Sequence, residues 1–479
     1  MESNPLALPY PWWYEIYERI KLAPWWFKYR LGISKQARLQ DEIVELALEL
    51  GLQDIWVKNV LRFAITEFSK KGLGVDYYGY HNIDHELEAT YFTLLVASGM
   101  NSRLSKKDIY YLFLSALFHD FDPLKEFDRP NESAVEYFMR NSKSIRRFIE
   151  YAGLDMDIVI AMIYRTAYPF IGKIKEDALK RMDELFDAAR VNDNMRSHYI
   201  MLGHIVSLVE RIAGYIMRDE DGVMELAMKN AHSLGWHPHV INKESIKYFN
   251  SILEDERDML ELVLSSIDDR YRERLFKNID RFREAYNKEL EVKEMIKHGA
   301  LRLYVNVEHE YKQCMNSLLR LHKMLPLPLR MKEDEFIDVL KDDSTILLTL
   351  RVDPSDSIVG YCKGSALENY RLRRGTYDEN KGRGNTVYLE PISIDYPYWG
   401  INGGHLLRYR FILEAKARGY RYLTAYAHRR VIEERMSKGE PIEVICRYNP
   451  DRYDYYRYDL RAVDESYIRR AIDLNVNAY

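Results

Sequence analysis

Apolar residues recur at three- and four-residue spacing over the first part of the chain, as in DEIVELALELG, ESAVEYFMRN and IVSLVERIAGYIM. This spacing puts the apolar side chains on one face of a helix and predicts that residues 35–295 are helical. Asn101-Ser102 and Asn131-Glu132 are typical helix starts. We therefore expect an all-α domain here.

The pattern changes after residue 295 to short runs rich in β-branched and aromatic residues, such as LRLYVNV, STILLTLRV, IVGYC, NTVYLEPISI, YRYLTAYA and IEVICRY. Such runs, separated by helical stretches and turns, predict an α+β domain with a mixed central sheet over residues 296–479. The tyrosine-dense run DRYDYYRYDL is interpreted either as a source of a general acid or as an aromatic edge of that sheet.

Residues 1–34 form a separate aromatic segment, in which five large apolar side chains stand among basic residues. Two interpretations remain open for residues 9–31. In the first they contact a membrane surface, and in the second their aromatic side chains pack against the helical domain. Pro11 and Pro24 interrupt any long amphipathic helix and favour the second interpretation.

Length and composition narrow the class of protein. A chain of 479 residues with 47% hydrophobic and 30% charged residues predicts two globular domains, and a net charge of -4 predicts no nucleic-acid partner. The three cysteines form no CxxC pair, which indicates a reducing, cytoplasmic environment. We find neither a secretory signal nor a run of about 20 apolar residues that would span a bilayer.

Two histidine motifs carry the candidate chemistry of the first half. His81 and His85 stand four residues apart in YHNIDH, a spacing that places both on one face of a helix. His119 and Asp120 follow an apolar helix expected from Ile109 to Phe118. Imidazoles together with a carboxylate suit Mn²⁺, Fe²⁺, Zn²⁺ or Mg²⁺, so the motifs predict a divalent-metal site.

These motifs resemble the signature Tyr-His-Asn-x-x-His followed by His-Asp of HD-domain phosphohydrolases, in particular the cyclic-nucleotide phosphodiesterases. The resemblance covers roughly residues 55–290. It implies that His85, His119 and Asp120 bind the metal and that His81 is the general acid that protonates the leaving oxygen of a small phosphoester. Asp122 stands where family members often have an acid that supports the metal ligands.

The sequence departs from this family at the fourth metal ligand and at the base-reading residue. The family usually closes its metal site with an Asp on a later helix, where this chain offers Glu210; Asp193 and His204 are the other candidates. The phosphodiesterases read a purine with a glutamine, and no glutamine occurs between Gln53 and Gln313. The expected substrate is therefore a nucleotide, a cyclic nucleotide or another phosphoester.

A glycine-containing turn precedes a helix expected from about His405 to Ala417 in the second half. Backbone N–H groups at such a turn can bind a pyrophosphate, because the positive end of the helix dipole attracts anions. An ordinary strand-to-helix turn is the alternative. The residues expected to contact phosphate are Gly400, Asn402, Gly403, Gly404 and His405.

The order of strands and helices around this turn resembles the GNAT acyltransferase fold over roughly residues 300–479. The resemblance implies that acetyl-CoA binds at the turn, that Ile392 and Ile394 lie along its pantetheine, and that an amine accepts the acyl group. Tyr398 and Ile401 depart from the family's loop pattern. Glu390, near a strand end, is the candidate base for the amine, with an exposed, merely solvated Glu as the alternative.

Three hypotheses follow for the whole chain. It is a bifunctional phosphohydrolase and acyltransferase; or only one half is catalytic and the other is a nucleotide- or CoA-binding sensor; or it is a nucleotide-binding protein whose metal site has decayed, since Glu210 replaces the usual Asp. The oligomeric state, the phosphoester and the acyl acceptor stay undetermined by the sequence.

Overall fold

The computed structural model describes residues 35–70, 79–124, 131–233, 240–325, 330–448 and 452–466, together with residues 468, 469 and 472. The two interpretations of residues 9–31 lie outside the described residues.

Helices make up the regular secondary structure of the described residues before residue 298, as the apolar spacing predicted. They are α1 (Lys35–Glu49), α2 (Asp54–Lys70), α3 (Ile83–Gly99), α4 (Lys106–Phe118), α5 (Glu132–Asn141), α6 (Lys143–Tyr151), α7 (Met156–Tyr164), α8 (Gly172–Ala188), α9 (Asp193–Met217), α10 (Glu220–Ser233), α11 (Ile241–Asp255), α12 (Arg257–Ser265) and α13 (Asp269–Lys297). The all-α class expected for the first half is confirmed.

Side chains that accept hydrogen bonds from backbone N–H groups fix where several of these helices begin. Asn131 caps α5, as predicted, by accepting from Ala134 N. The start predicted at Asn101-Ser102 is wrong, because Ser105 and Asp108 form a reciprocal capping box that begins α4 at Lys106. The helix before His119 is thus longer at its N-terminus than the sequence indicated.

Helix α9 lies at the centre of the helical unit and packs against α3, α4, α7 and α12. By length and composition it is the one described helix able to cross a membrane, yet 78% of its most apolar stretch is buried inside the fold. Such burial is typical of the core helix of a folded domain.

The chain divides into two compact units. Among the described residues, the first contains residues 35–233 and Lys243–Phe282, and the second contains residues 240–242 and everything from Arg283 onward. The division falls within α13, because Val292 and Ile296 pack into the core of the second unit. The domain boundary at 295/296 stays a prediction.

An eight-stranded mixed sheet forms the second unit. Its elements are β1 (Arg302–Val307), α14 (Tyr311–Lys323), α15 (Glu333–Leu340), β2 (Ile346–Asp353), β3 (Ser357–Ala366), β4 (Thr386–Leu389), β5 (Ser393–Ile394), α16 (Gly403–Ala417), β6 (Tyr422–His428), α17 (Arg429–Ser437), β7 (Ile442–Cys446) and β8 (Tyr453–Asp459). The predicted α+β class with a mixed central sheet is confirmed.

The strands follow the order β1-β2-β3-β4-β6-β8-β7, and β5 pairs with β3. Every pairing is antiparallel except that of β4 with β6, which α16 connects. The run DRYDYYRYDL supplies β8, which lies between β6 and β7. The interpretation of this run as a sheet edge is therefore wrong, because β8 pairs with a strand on each side.

Each face of the sheet has its own apolar core. On one face, Leu350 and Leu423 pack with Leu407 and Phe411 of α16. On the other face, tyrosines of the sheet pack with α14 and α15. Alternate residues of a strand point to opposite faces. The sheet therefore lies between the glycine turn at α16 and the tyrosine-rich face.

Candidate functional site

Three helices of the first unit bring the predicted metal ligands together. His85 lies in the first turn of α3, His119 and Asp120 follow the last residue of α4, and Glu210 lies in the buried part of α9. Each of these four residues is at most 7% exposed. Polar groups this deeply buried need partners that satisfy them, and here they face one another.

The distances between the ligand atoms are those of a compact cluster. His85 Nε2 lies 3.1 Å from His119 Nε2, 3.7 Å from Asp120 Oδ2 and 3.8 Å from Glu210 Oε2. His119 Nε2 lies 3.4 Å from Asp120 Oδ2. Single atoms of His85, His119 and Glu210 all lie within 4.8 Å of one another, as a common cation would require.

His81 belongs to this cluster but not to the helix on which the four-residue spacing placed it. Asn82 accepts hydrogen bonds from the N–H groups of Asp84 and His85, so α3 begins at Ile83 and His81 lies in the preceding turn. His81 Nε2 lies 3.8 Å from Asp120 Oδ2. The helix-face prediction is therefore wrong, although both imidazoles still reach the same carboxylate.

Glu86 is a member of the cluster that the sequence reasoning missed. Its side chain is completely buried, and its Oε2 lies 3.1 Å from His119 Nδ1. The same nitrogen lies 2.8 Å from the carbonyl oxygen of Ala116. Both neighbouring oxygens can only accept a proton, so Nδ1 stays protonated, and Nε2 is the nitrogen that faces the cluster and can bind a cation once it loses its own proton. No sequence motif marks Glu86, because its contact with His119 joins two separate helices.

The electrostatics of the cluster favour a bound positive charge. Burial lowers the pKa of His119, but the negative charges of Glu86 and Asp120 outweigh burial, and the pKa lies well above the ordinary 6.5. Burial raises the pKa of Glu210 to about 7, against the opposing charges of His119 and Arg211. The cluster therefore takes up protons where it could hold a cation.

The alternative fourth ligands lie elsewhere. Asp193 is exposed at the start of α9 and lies near Arg196. His204 Nε2 lies 2.7 Å from Glu256 Oε2, and Glu256 also binds Arg211 through both carboxylate oxygens. Of the three candidates for the fourth ligand, the fold therefore brings Glu210 to His85, and it brings neither Asp193 nor His204 there.

Asp122 is buried close to the cluster, and its backbone N–H donates to Asp120 O at 2.6 Å. Its carboxylate accepts from Leu124 N at 3.2 Å. These bonds fix the turn that follows α4, which holds the Asp120 side chain toward the histidines.

Glu390 in the second unit is buried directly after β4, so the alternative of an exposed, solvated glutamate is wrong. Its Oε1 accepts hydrogen bonds from Lys363 Nζ and from the Tyr370 hydroxyl, each at 2.6 Å. Lys363 is itself completely buried, and burial lowers its pKa against the opposing charge of Glu390. Glu390 as a base for an amine stays a prediction.

The predicted phosphate-binding turn forms the N-terminus of α16. Asn402 takes a left-handed conformation with φ of 63°, and Gly400 has φ of 72°. A Cβ on Gly403 would lie 2.6 Å from Leu350 Cδ2, whereas one on Gly404 would make an ordinary contact of 3.7 Å with Ile394. Gly403 is therefore required for close packing.

His405 lies in the first turn of α16 in a positive environment. Burial lowers its pKa, and the charges of Arg435, Arg408 and Lys438 lower it further against the opposing charge of Glu440. Cations around a helix N-terminus favour an anion there.

The strands separate beside this turn. The parallel ladder between β4 and β6 runs from Thr386 and Tyr422 to Tyr388 and Thr424. Beyond it, Ile394 of β5 pairs with Gly360 of β3, while β6 continues with β8. Ile392 and Ile394, the predicted pantetheine contacts, both pack against the core on the α16 face.

No family model matches the sequence. No curated protein matches it. Among solved structures, the C-terminal third is similar to GNAT acetyltransferases. A GNAT family N-acetyltransferase (YhbS) from Escherichia coli in complex with CoA is 17% identical over 33% of this chain and 82% of that one, with a TM-score of 0.25.

An acetyltransferase of the GNAT family from Staphylococcus aureus Mu50 is 14% identical over 33% of this chain and 99% of its own, with a TM-score of 0.25. The CoA-dependent acyl-homoserine lactone synthase BjaI, with SAM and isopentyl-CoA, is 10% identical over 36% of this chain and 90% of its own, with a TM-score of 0.28. Similarity of this extent does not identify a function.

Proposed function

We propose that the helical unit hydrolyses a small phosphoester with a divalent cation held by His85, His119, Asp120 and Glu210. The observation that carries the proposal is the set of 3.1–3.8 Å separations between buried nitrogen and oxygen atoms of these side chains.

The donor set fits a borderline or hard divalent cation. A cation that binds its ligands at about 2.1 Å separates neighbouring ligand atoms by about 3.0 Å in octahedral and about 3.4 Å in tetrahedral geometry. The observed separations reach these values after shifts of a few tenths of an ångström. When bound, such a cation supplies a water whose pKa is lowered towards neutrality.

His81 has a different role in this proposal. It lies beside Asp120 in the turn before α3 and is the proton donor to the departing ester oxygen. Glu86 holds His119 in the orientation that presents Nε2, and Asp120 is held by the turn after α4. The resemblance to HD-domain phosphohydrolases supports a nucleotide or cyclic nucleotide as the substrate.

The test measures metal content and hydrolysis on the same preparations, with Mn²⁺ and a panel of cyclic and linear nucleotides. Asp120→Asn should lose both metal and turnover, because it removes a ligand. His81→Gln should keep the metal and lose turnover by about 100-fold or more, because it removes only a proton donor.

Two matched controls separate these effects from general damage. Asp193→Asn changes an exposed aspartate on α9 that was a rival ligand, and His298→Gln changes an exposed histidine. Both should keep metal and turnover. Hydrolysis that persists undiminished in Asp120→Asn contradicts the ligand assignment.

A second activity is proposed for the second unit, where an acyl-CoA binds at the α16 N-terminus and donates its acyl group to an amine. The specific observation is that β4 and β6 pair only as far as Tyr388 and Thr424, and that Ile394 of β5, which follows β4, lies against the first turn of α16, 3.7 Å from a Cβ placed on Gly404. A backbone edge can bind the amides of an extended ligand while a helix N-terminus binds its phosphates.

Gly404 allows a sharp test, because a Cβ there makes only an ordinary contact. Gly404→Asp places a negative charge in the first helical turn, which favours the helix but repels a pyrophosphate. Gly404→Asn has the same shape without the charge. Acetyl-CoA should raise the melting temperature of the wild type and of Gly404→Asn, and not that of Gly404→Asp. Equal stabilisation of all three proteins contradicts the proposed site.

A further inference from the structure

A row of tyrosines on the face opposite α16 ends in a cluster of arginines. The rings of Tyr370 and Tyr388 have centroids 4.6 Å apart, and Tyr426 follows at 6.4 Å from Tyr388. Tyr448 lies 6.3 Å from Tyr426. The Tyr370 hydroxyl donates to Glu390 at the other end of the row. The tyrosines thus connect the buried glutamate with the arginines.

Tyr448 is the point at which three chain segments meet. The Arg373 guanidinium lies 3.8 Å from the centre of its ring, and its hydroxyl donates to Arg374 O at 3.2 Å. The carbonyl oxygen of Tyr448 accepts hydrogen bonds from Arg429 Nη2 and from Arg452 N, each at 3.1 Å. These contacts hold arginines from separate parts of the sequence in one place.

We name the arginine cluster as Arg373, Arg374, Arg429, Arg447 and Arg452. Residues 371–374, 428–430 and 446–454 contain seven arginines and two aspartates, of which Asp451 lies outside the described residues. Asp454 accepts from Arg429 through both carboxylate oxygens. Tyr448 thus positions the guanidinium groups of Arg373 and Arg429, while Arg374 and Arg452 contact it through their backbone and Arg447 precedes it in the chain. The excess of arginine over described aspartate in these segments attracts a multiply charged anion.

The cluster lies at the same edge of the sheet as the α16 N-terminus. Strands β4 and β6 are parallel, so the chain after β4, which leads into α16, and the end of β6 at Arg429 leave the sheet on one side. The packing places α16 on one face and Tyr388 and Tyr426 on the other. An acyl donor at α16 and an anion at the arginines would therefore approach the opening beyond the β4–β6 ladder from opposite faces.

We propose that the amine that accepts the acyl group carries a phosphate, which the arginine cluster binds. The inference rests on the acyl transfer proposed for this unit. In the transfer, the amine nitrogen bonds to the thioester carbon, the carbon–sulfur bond breaks, and the proton lost by the amine leaves with CoA as its thiol. A phosphate is favoured over a carboxylate because it carries more negative charge and offers three terminal oxygens, which arginine side chains bind in pairs.

The experiment uses the full chain and four acceptors that share a six-carbon amine and differ at the far end: 6-aminohexyl phosphate, 6-aminohexanoate, 6-aminohexanol and 1,6-diaminohexane. Transfer from acetyl-CoA and calorimetric binding are both measured. We expect 6-aminohexyl phosphate to bind and react at least tenfold better than the other three. Equal use of all four, or a preference for the carboxylate, overturns the inference.

The exposed side chains of Arg374 and Arg447 allow variants that keep the fold. Arg374→Gln/Arg447→Gln should weaken binding of 6-aminohexyl phosphate at least tenfold and leave acetyl-CoA binding unchanged. Arg421→Gln, an exposed change at the opposite end of β6, is the matched control and should change neither.

The two proposals fail differently. If acetyl-CoA does not bind, the proposed acyl transfer is wrong, and the inferred acceptor is wrong with it. Binding of 6-aminohexyl phosphate that is lost in Arg374→Gln/Arg447→Gln would then show an anion site that has no acceptor role. If acetyl-CoA binds and transfer to all four amines is equal, acyl transfer stands and the phosphate preference alone is refuted.

Discussion

Cation binding by the helical unit should weaken as pH falls below about 7, because the cation must replace a proton on Glu210. Burial raises the pKa of this carboxyl group to about 7. The cation binds the ionised form, whose fraction is about 0.9 at pH 8 and about 0.1 at pH 6. Glu210 alone therefore predicts affinity about tenfold weaker at pH 6 than at pH 8.

His119 adds to this dependence in the same direction. Its pKa lies well above the ordinary 6.5 when no cation is present, because Glu86 and Asp120 outweigh burial. A cation on Nε2 must displace that proton too. The total loss of affinity between pH 8 and pH 6 should therefore exceed the tenfold that Glu210 contributes.

The assay is calorimetric titration with Mn²⁺ at about pH 8, 7 and 6, in buffers of different ionisation enthalpy so that released protons are counted. Glu210→Gln should bind Mn²⁺ more weakly than the wild type at every pH. Its loss of affinity between pH 8 and pH 6 should be about tenfold smaller than that of the wild type. The matched control is Glu136→Gln. Burial raises the pKa of Glu136, but hydrogen bonds from Arg181, Arg140 and Tyr164 outweigh it and lower the pKa to about 2.

Glu136 is ionised at all three pH values, so its substitution should leave the dependence unchanged. Equal Mn²⁺ affinity of the wild type at pH 8 and pH 6 would refute the reasoning, because no proton would then compete with the cation.

Three further predictions concern the two units. Glu86→Gln should weaken Mn²⁺ binding by about 10- to 100-fold, because Glu86 orients His119, while Glu88→Gln on the same helix should keep the affinity. Gly99→Ala should lower the free energy of unfolding by about 3 kcal/mol in urea titrations, since its Cβ would lie 1.9 Å from the backbone oxygen of Ser266 at the end of α12. Lys363→Met should lower the free energy of unfolding by about 3 kcal/mol, because it leaves the buried charge of Glu390 without its partner. The double variant Lys363→Met/Glu390→Met should regain most of that loss, because it removes both charges.

The secondary structure could be predicted to the extent that it depends on short-range spacing. Helical periodicity identified the first unit, and runs such as LRLYVNV identified strands. The exact start of α4 could not be predicted, because both Asn101 and Ser105 are residue types that cap helices. The reciprocal hydrogen bonds between Ser105 and Asp108 place the start after Ser105. The position of β8 inside the sheet also could not be predicted, since strand order depends on contacts distant in sequence.

The candidate metal site could be predicted where a motif marks its residues. His85, His119 and Asp120 stand in two short motifs, and the structure brings them within 3.7 Å of one another. Glu86 was missed because only the fold shows that it faces His119 Nδ1. The arginines around Tyr448 come from separate segments and carry no motif, so only their contacts show that they meet.

The most direct test of the metal site is the anomalous X-ray signal from crystals grown with Mn²⁺. We predict one strong peak in the helical unit, about 2.0–2.3 Å from His85 Nε2, His119 Nε2 and oxygens of Asp120 and Glu210. Crystals grown with Mn²⁺ that show no peak among these four side chains would contradict the proposed centre.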